Sequence, residues 1–146
     1  MMDKKDFDEY FTDKSLSVSQ LERLQLTRTL VNEMYPEVQE RVAYNMPGFY
    51  PKLATKSNQQ LFLVQAQKNW LGIYGTDGLE PEDFATFIRQ GVEVGKGSLR
   101  VPYDLNEEKF KSLLQFVMKH NFIRHGIELM HDKGKFSGND KPQKTL

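Results

Sequence analysis

The chain has 146 residues, enough for one domain with a core of its own. Its 20 basic residues balance 20 acidic ones, so no overall field draws it to nucleic acid or to an anionic membrane. Cysteine is absent, which excludes disulfides, thiolate metal sites and cysteine nucleophiles, and an aromatic content of 12% argues against disorder.

No apolar run approaches the roughly 20 residues of a membrane span. No apolar signal-peptide core follows the opening Met1-Met2-Asp3-Lys4-Lys5-Asp6, so the cytoplasm is the expected location. Charge is nevertheless uneven. Residues 1–40 hold nine acids against five bases, and residues 119–146 hold six bases against three acids. Such an imbalance reads as solvated faces at opposite ends, or as an acidic surface that attracts cations.

In chain order, Phe7, Tyr10 and Phe11 share the i, i+3, i+4 face of a short helix. Ser17 and Gln20 form a capping box that opens a long helix, with Leu21, Leu24, Leu30, Val31 and Met34 on its apolar stripe. Pro36 predicts a break near Tyr35 and a second helix over residues 36–44, with Glu37 in its first turn. Pro47, Gly48 and Pro51 end that helix. Residues 60–66 and 70–74 alternate as two strands joined by Gln67-Lys68-Asn69, an antiparallel hairpin. Pro81 opens a short helix carrying Phe84, Phe87 and Ile88, and Gly91 closes it. Residues 92–94 and 98–102 form a second hairpin about Gly95-Lys96-Gly97. The run Asp104-Leu105-Asn106-Glu107 reads as another capping box, before a helix with Phe110, Leu113, Leu114 and Val117 inward. A further amphipathic stretch through Phe122, Ile123, Ile127 and Met130 follows, then a polar tail. Two hairpins and four or five helices make an α+β domain over residues 1–133, with a flexible tail over 134–146.

Three segments carry a resemblance. They are the run from Pro36 to Phe49 that ends Tyr44-Asn45-Met46-Pro47-Gly48-Phe49, the run Lys68-Asn69-Trp70-Leu71-Gly72-Ile73-Tyr74, and the run Gly95-Lys96-Gly97-Ser98-Leu99-Arg100-Val101-Pro102. In this order and spacing they resemble the YdhG-like family of small bacterial proteins. Most of that family has no assigned activity, and one branch is described as a frataxin-like intracellular iron chaperone. The resemblance spans about residues 18–120. It implies an α+β fold, a small antiparallel β-sheet packed against several helices, loosely frataxin-like. It also implies a non-enzymatic protein that carries iron to iron–sulfur or haem assembly partners. The family often has His where this chain has Trp70, which removes a ligand or proton carrier here.

Two sites compete under that reading. Iron takes hard oxygen ligands, and an exposed acidic stripe can hold it loosely enough to release it. Glu33, Glu37 and Glu40 have helical spacing, and Glu37 and Glu40 lie in the best-matched segment, so these two are the expected metal contacts. The group Asp6, Asp8, Glu9 and Asp13 is an equal competitor. The alternative is a metal-free ligand or protein cleft with polar tips on an aromatic floor. Its candidate residues are Tyr44, Met46, Phe49, Trp70, Tyr74, Lys96 and Arg100. The plainer reading of the same residues is a hydrophobic corner and a hairpin turn. His120, His125 and His131 with Glu128 and Asp132 offer one Glu-x-x-His pair, whereas a di-iron site uses two such pairs and two further Glu residues. No Gly-x-Ser-x-Gly elbow is present, so a catalytic role is not expected.

Overall fold

The computed structural model describes residues 6–125. A 3₁₀ helix at Phe7–Phe11 precedes α1 (Val18–Met34), which starts at Ser17 as the spacing predicts. Ser17 Oγ accepts from Gln20 N at 3.1 Å, and Gln20 Oε1 accepts from Ser17 N at 2.7 Å. Tyr35 ends the helix.

The predicted second helix is a strand. After a turn at Pro36-Glu37, β1 (Gln39–Ala43) pairs antiparallel with β2 (Met46–Tyr50). The connection is the two residues Tyr44 and Asn45, both with positive φ (56° and 61°). That geometry matches the right-handed twist of a tight hairpin. Once this turn forms, the backbone groups of β1 find partners in β2, and a helix there has no advantage. Pro47, expected as a breaker, lies within β2 and limits the sheet. The β2–β3 ladder covers only Gly48↔Leu63 and Phe49↔Phe62, stopping where Pro47 has no N–H to give.

The hairpin β3 (Phe62–Ala66) and β4 (Leu71–Tyr74) forms as predicted, as does β5 (Glu93–Gly95) with β6 (Ser98–Val101). The short helical turn Pro81–Phe84 and α2 (Ala85–Arg89) connect them. The result is one antiparallel sheet in the order β1-β2-β3-β4-β6-β5. The last helix, α3 (Glu107–His125), begins two residues later than predicted. Asn106, not Asp104, is its cap: Asn106 Oδ1 accepts from the backbone N–H of Glu108 (2.8 Å) and Lys109 (3.2 Å). The stretch expected after Asn121 continues α3 as far as His125. Ile127, Met130 and the polar tail lie outside the described residues.

Strand alternation gives the sheet two unlike faces. One carries Phe49, Phe62, Val64, Leu71, Ile73, Leu99 and Val101, buried beneath α1 and α3. Asn121 of α3 is fully buried there and is satisfied. Its Nδ2 donates to the carbonyls of Leu61 (2.6 Å) and Gly75 (2.7 Å), fastening the helix to both sides of the β3–β4 hairpin. Among the described residues, no helix lies on the other face.

Candidate functional site

The face without a described helix carries two arginine–aromatic pairs and Tyr74. Reading across the register, it carries Arg41 and Ala43 of β1, Met46, Gly48 and Tyr50 of β2, and Leu63 and Gln65 of β3. Beyond these come Gly72 and Tyr74 of β4, with Trp70 just before them, then Ser98 and Arg100 of β6 and Glu93 of β5. A small cluster of Ala43, Tyr50, Ala54 and Leu63, flanked by Met46 and Tyr74, covers the β1–β3 side. Tyr50 is pinned by its hydroxyl, which donates to Ser57 O at 2.7 Å, and burial raises its phenol pKa despite the opposing charge of Arg41.

Two arginines lie over aromatic rings on this face. The Arg41 guanidinium is 4.5 Å from the centre of the Tyr50 ring, and that of Arg100 is 4.3 Å from the centre of the Trp70 ring. Between them Tyr74 lies flat over Gly72, where any Cβ would collide with its ring. The Tyr74 hydroxyl accepts from Gln67 Nε2 at 3.1 Å, which holds the ring in place. At the β6 end, Asn69, Trp70, Gly91, Glu93, Arg100 and Pro102 surround an open hollow of about 270 Å³. Glu93 is a weak tether for Arg100, at 3.7 Å and with both side chains well exposed.

The structure thus brings Met46, Trp70, Tyr74 and Arg100 to one face and separates the other three predicted cleft residues. Phe49 points to the opposite face and is fully buried against Phe7 and Phe62, at ring distances of 5.6 and 5.1 Å. It cannot line a cleft, because the two-residue turn sets β2 in the register that turns Phe49 inward. Lys96 sits in the β5–β6 turn, at the opposite end of the sheet from the β1–β2 turn that carries Tyr44. Tyr44 itself is 61% exposed at the hairpin tip, the same end as Trp70. Arg41 was missed. Its place on the face follows from alternation only once residues 39–43 are known to be a strand.

The acidic residues are not gathered. Glu33 lies on α1, Glu37 in the turn and Glu40 on β1, so the single helical face predicted for them does not exist. Glu40 accepts from Arg28 Nε and Nη2 (3.0 and 2.8 Å) and from Asn32 Nδ2 (2.9 Å). Burial raises the pKa of its carboxyl, but these bonds outweigh burial and hold it below the usual range. Glu37 lies 3.7 Å from Lys52 Nζ. Asp8 pairs with Arg28 at 2.7 Å, Glu9 accepts from Asp6 N, and Asp13 accepts from Ser15. The ring nitrogens of His120 and His125 donate to the carbonyls of Asp77 and Gln60. Glu128 and His131 lie outside the described residues. Among the described residues, no group of three or more His, Asp or Glu side chains is placed to hold a metal ion. Nor is any described helix long and apolar enough to cross a membrane.

These features define an α+β protein with a six-stranded antiparallel sheet, whose described helices pack on one face. The same fold occurs in the crystal structure of YdhG, a DUF1801-family protein from Bacillus subtilis, with a TM-score of 0.67 at 16% identity. The match covers 84% of this chain and 92% of that one, so the YdhG-like fold implied by the three sequence segments is the fold observed. No family model matches the sequence, and no curated protein matches it significantly.

Proposed function

We propose that the chain is a non-enzymatic binding protein that docks an acidic, partly apolar protein surface on the helix-free face of its sheet. The observation that carries this reading is the pair of arginine–aromatic stacks on the sheet face that no described helix covers: Arg100 lies exposed on a half-buried Trp70, and Arg41 lies half-buried over the buried Tyr50 ring. Trp, Tyr, Met and Arg are the residue types enriched at protein interfaces, where they offer large contact area at low entropic cost. The stacks hold both guanidiniums in place before contact, so less freedom is lost when a carboxylate arrives. An open, shallow hollow suits a protein surface better than an enclosed small molecule.

Iron carriage is the competing reading, and it rests on the family resemblance. Against it, Glu40 already accepts three hydrogen bonds from Arg28 and Asn32, so a metal would compete with a charge-assisted network. On the sheet face an arriving carboxylate competes only with the weak, exposed Glu93 tether of Arg100.

The test places a photo-crosslinking residue at Ser98 and compares adducts formed in cells by the otherwise native chain and by an Arg41→Glu/Arg100→Glu variant. A discrete partner, crosslinked through an acidic segment and lost on charge reversal, supports the proposal. Adducts indifferent to both substitutions, or none, overturn it. Calorimetric titration with Fe(II) of the native chain and of a Glu37→Ala/Glu40→Ala variant examines the competing reading. Saturable binding that weakens in the variant would move the assignment to iron.

A further inference from the structure

One row of the helix-free face lies next to the point where the described chain ends. Arg41, Gly48, Leu63, Tyr74 and Ser98 stand opposite one another across β1, β2, β3, β4 and β6. The row is near the end of the sheet where β3 begins after Leu61 and β4 runs into Gly75. The last helix, α3, is fastened at that same end. Asn121 Nδ2 donates to the carbonyls of Leu61 and Gly75, and His125 Nε2 lies 2.8 Å from the carbonyl of Gln60. The residues after His125 therefore start at the end of the sheet from which this row is reached, one packed layer away from it.

A packed layer is about 10 Å deep, and residues 126–132 extended reach at most about 25 Å. That length is enough to round the end of the sheet. The composition of the segment suits the row. Ile127, Leu129 and Met130 are apolar, Glu128 and Asp132 are acidic, and no Lys or Arg occurs over 126–132. The one charged side chain of the row is Arg41. Its guanidinium is held over the Tyr50 ring and is within ion-pair distance of no described carboxylate. Beside it Met46 and Tyr74 are half-buried and leave apolar surface to cover. Residues 133–146 suit the row less well, since four lysines there outnumber the single acid Asp140 and would repel Arg41.

We propose that residues 127–132 fold back across this row, with Glu128 and Asp132 facing Arg41 and with Ile127, Leu129 and Met130 covering Met46 and Tyr74. The contact is autoinhibitory, because the segment has the acidic, partly apolar character of the surface that this face docks. Its regulatory meaning rests on the docking reading, but the contact is made within one chain and is tested without a partner.

The chain has no cysteine, so Lys133→Cys gives the full chain a single attachment point for a nitroxide label. The label should broaden the NMR amide signals of Gly48, Leu63, Tyr74 and Ser98 and leave those in the middle of α1 sharp. Glu128→Lys/Asp132→Lys in the labelled chain should abolish that broadening, and so should Arg41→Glu. Combining the two reversals should restore it, which a merely structural role for Arg41 would not do. Broadening confined to α3 and residues 57–61, or broadening that survives both charge reversals, would overturn the proposal. Broadening of isotope-labelled chains by separate nitroxide-labelled chains would place the contact between copies and overturn it as well. The two readings fail separately. Partner adducts at Ser98 with no broadening would overturn the intramolecular contact and keep the docking face. Broadening with charge rescue but no partner adduct would support the contact and overturn docking.

Discussion

Arg28 spans Asp8 and Glu40. From the middle of α1 its Nη2 reaches Asp8 at 2.7 Å and Glu40 at 2.8 Å, while its guanidinium lies 5.0 and 5.1 Å from the Phe7 and Phe11 rings. One side chain therefore ties the N-terminal 3₁₀ helix to the edge strand β1.

Replacing Glu40 by Gln should destabilise the fold by about 1 kcal/mol at neutral pH. The figure is kept low because the Arg28 and Glu40 side chains remain 32% and 22% exposed and the pair is partly screened by solvent. The pH dependence has a definite sign. The folded pKa of Glu40 is depressed, so the unfolded chain takes up the proton first on acidification. The stabilisation is full above the ordinary glutamate pKa of about 4.3 and is lost as pH falls through the lower folded value. Urea unfolding of the native and Glu40→Gln chains should show a gap at pH 7 that closes under acid. A gap independent of pH would mean that the pair is not its source.

Tyr44 adopts a left-handed backbone conformation although it is a bulky residue, and its ring is 61% exposed. Left-handed geometry costs an ordinary residue about 1–2 kcal/mol, and Asn bears it more easily. Tyr44→Asn should therefore raise stability by about 0.5–1 kcal/mol, read as a higher urea midpoint at unchanged m-value. A loss of stability would show that the ring packs usefully where it stands.

Asn121→Leu should be among the costliest single changes. It removes both donors serving the buried carbonyls of Leu61 and Gly75 and leaves those acceptors unmet. At about 1–3 kcal/mol for a buried unsatisfied group, a total loss of about 3 kcal/mol is expected, measured by denaturant unfolding. Hydrogen exchange should accelerate first at Leu61 and in the Gly75–Gly78 loop, because these are the segments that Asn121 fastens to α3.

Where a local signal determined the structure, the sequence was readable. The Ser17–Gln20 box, the alternation through residues 62–74 and the turn at Lys96-Gly97 each act over a few residues, and each element appears as predicted. Residues 39–43 carry no such signal. Only Val42 and Ala43 are apolar, Pro36 imitates a helix start, and the strand exists because β2 pairs with it. That error hid Arg41 and put Phe49 on the wrong face, since both assignments depend on hairpin register. Trp70, Tyr74 and Arg100 were found because Tyr74 and Arg100 lie in β4 and β6 and Trp70 continues the alternation just before β4. Arg23 gave no signal at all, because a charged residue on a helix reads as surface until the tertiary packing buries it.

The stack of Arg100 on Trp70 can be measured directly, because Trp70 is the single tryptophan of the chain. With the guanidinium 4.3 Å from the ring centre, the indole is covered on one side while its surroundings stay open. Arg100→Ala should uncover the ring and shift its emission to longer wavelength. Stability should fall by no more than about 0.5–1 kcal/mol, the value of an exposed cation–π contact. Arg100→Lys retains the charge but not the flat stacking group, so it should restore only part of the native emission. High salt should scarcely change the native spectrum, because the contact is made face to face at short range, whereas the tether to Glu93 at 3.7 Å should weaken. A native spectrum identical to that of Arg100→Ala would mean that the stack is not populated in solution. The preorganised cation on which the proposed docking face depends would then be absent.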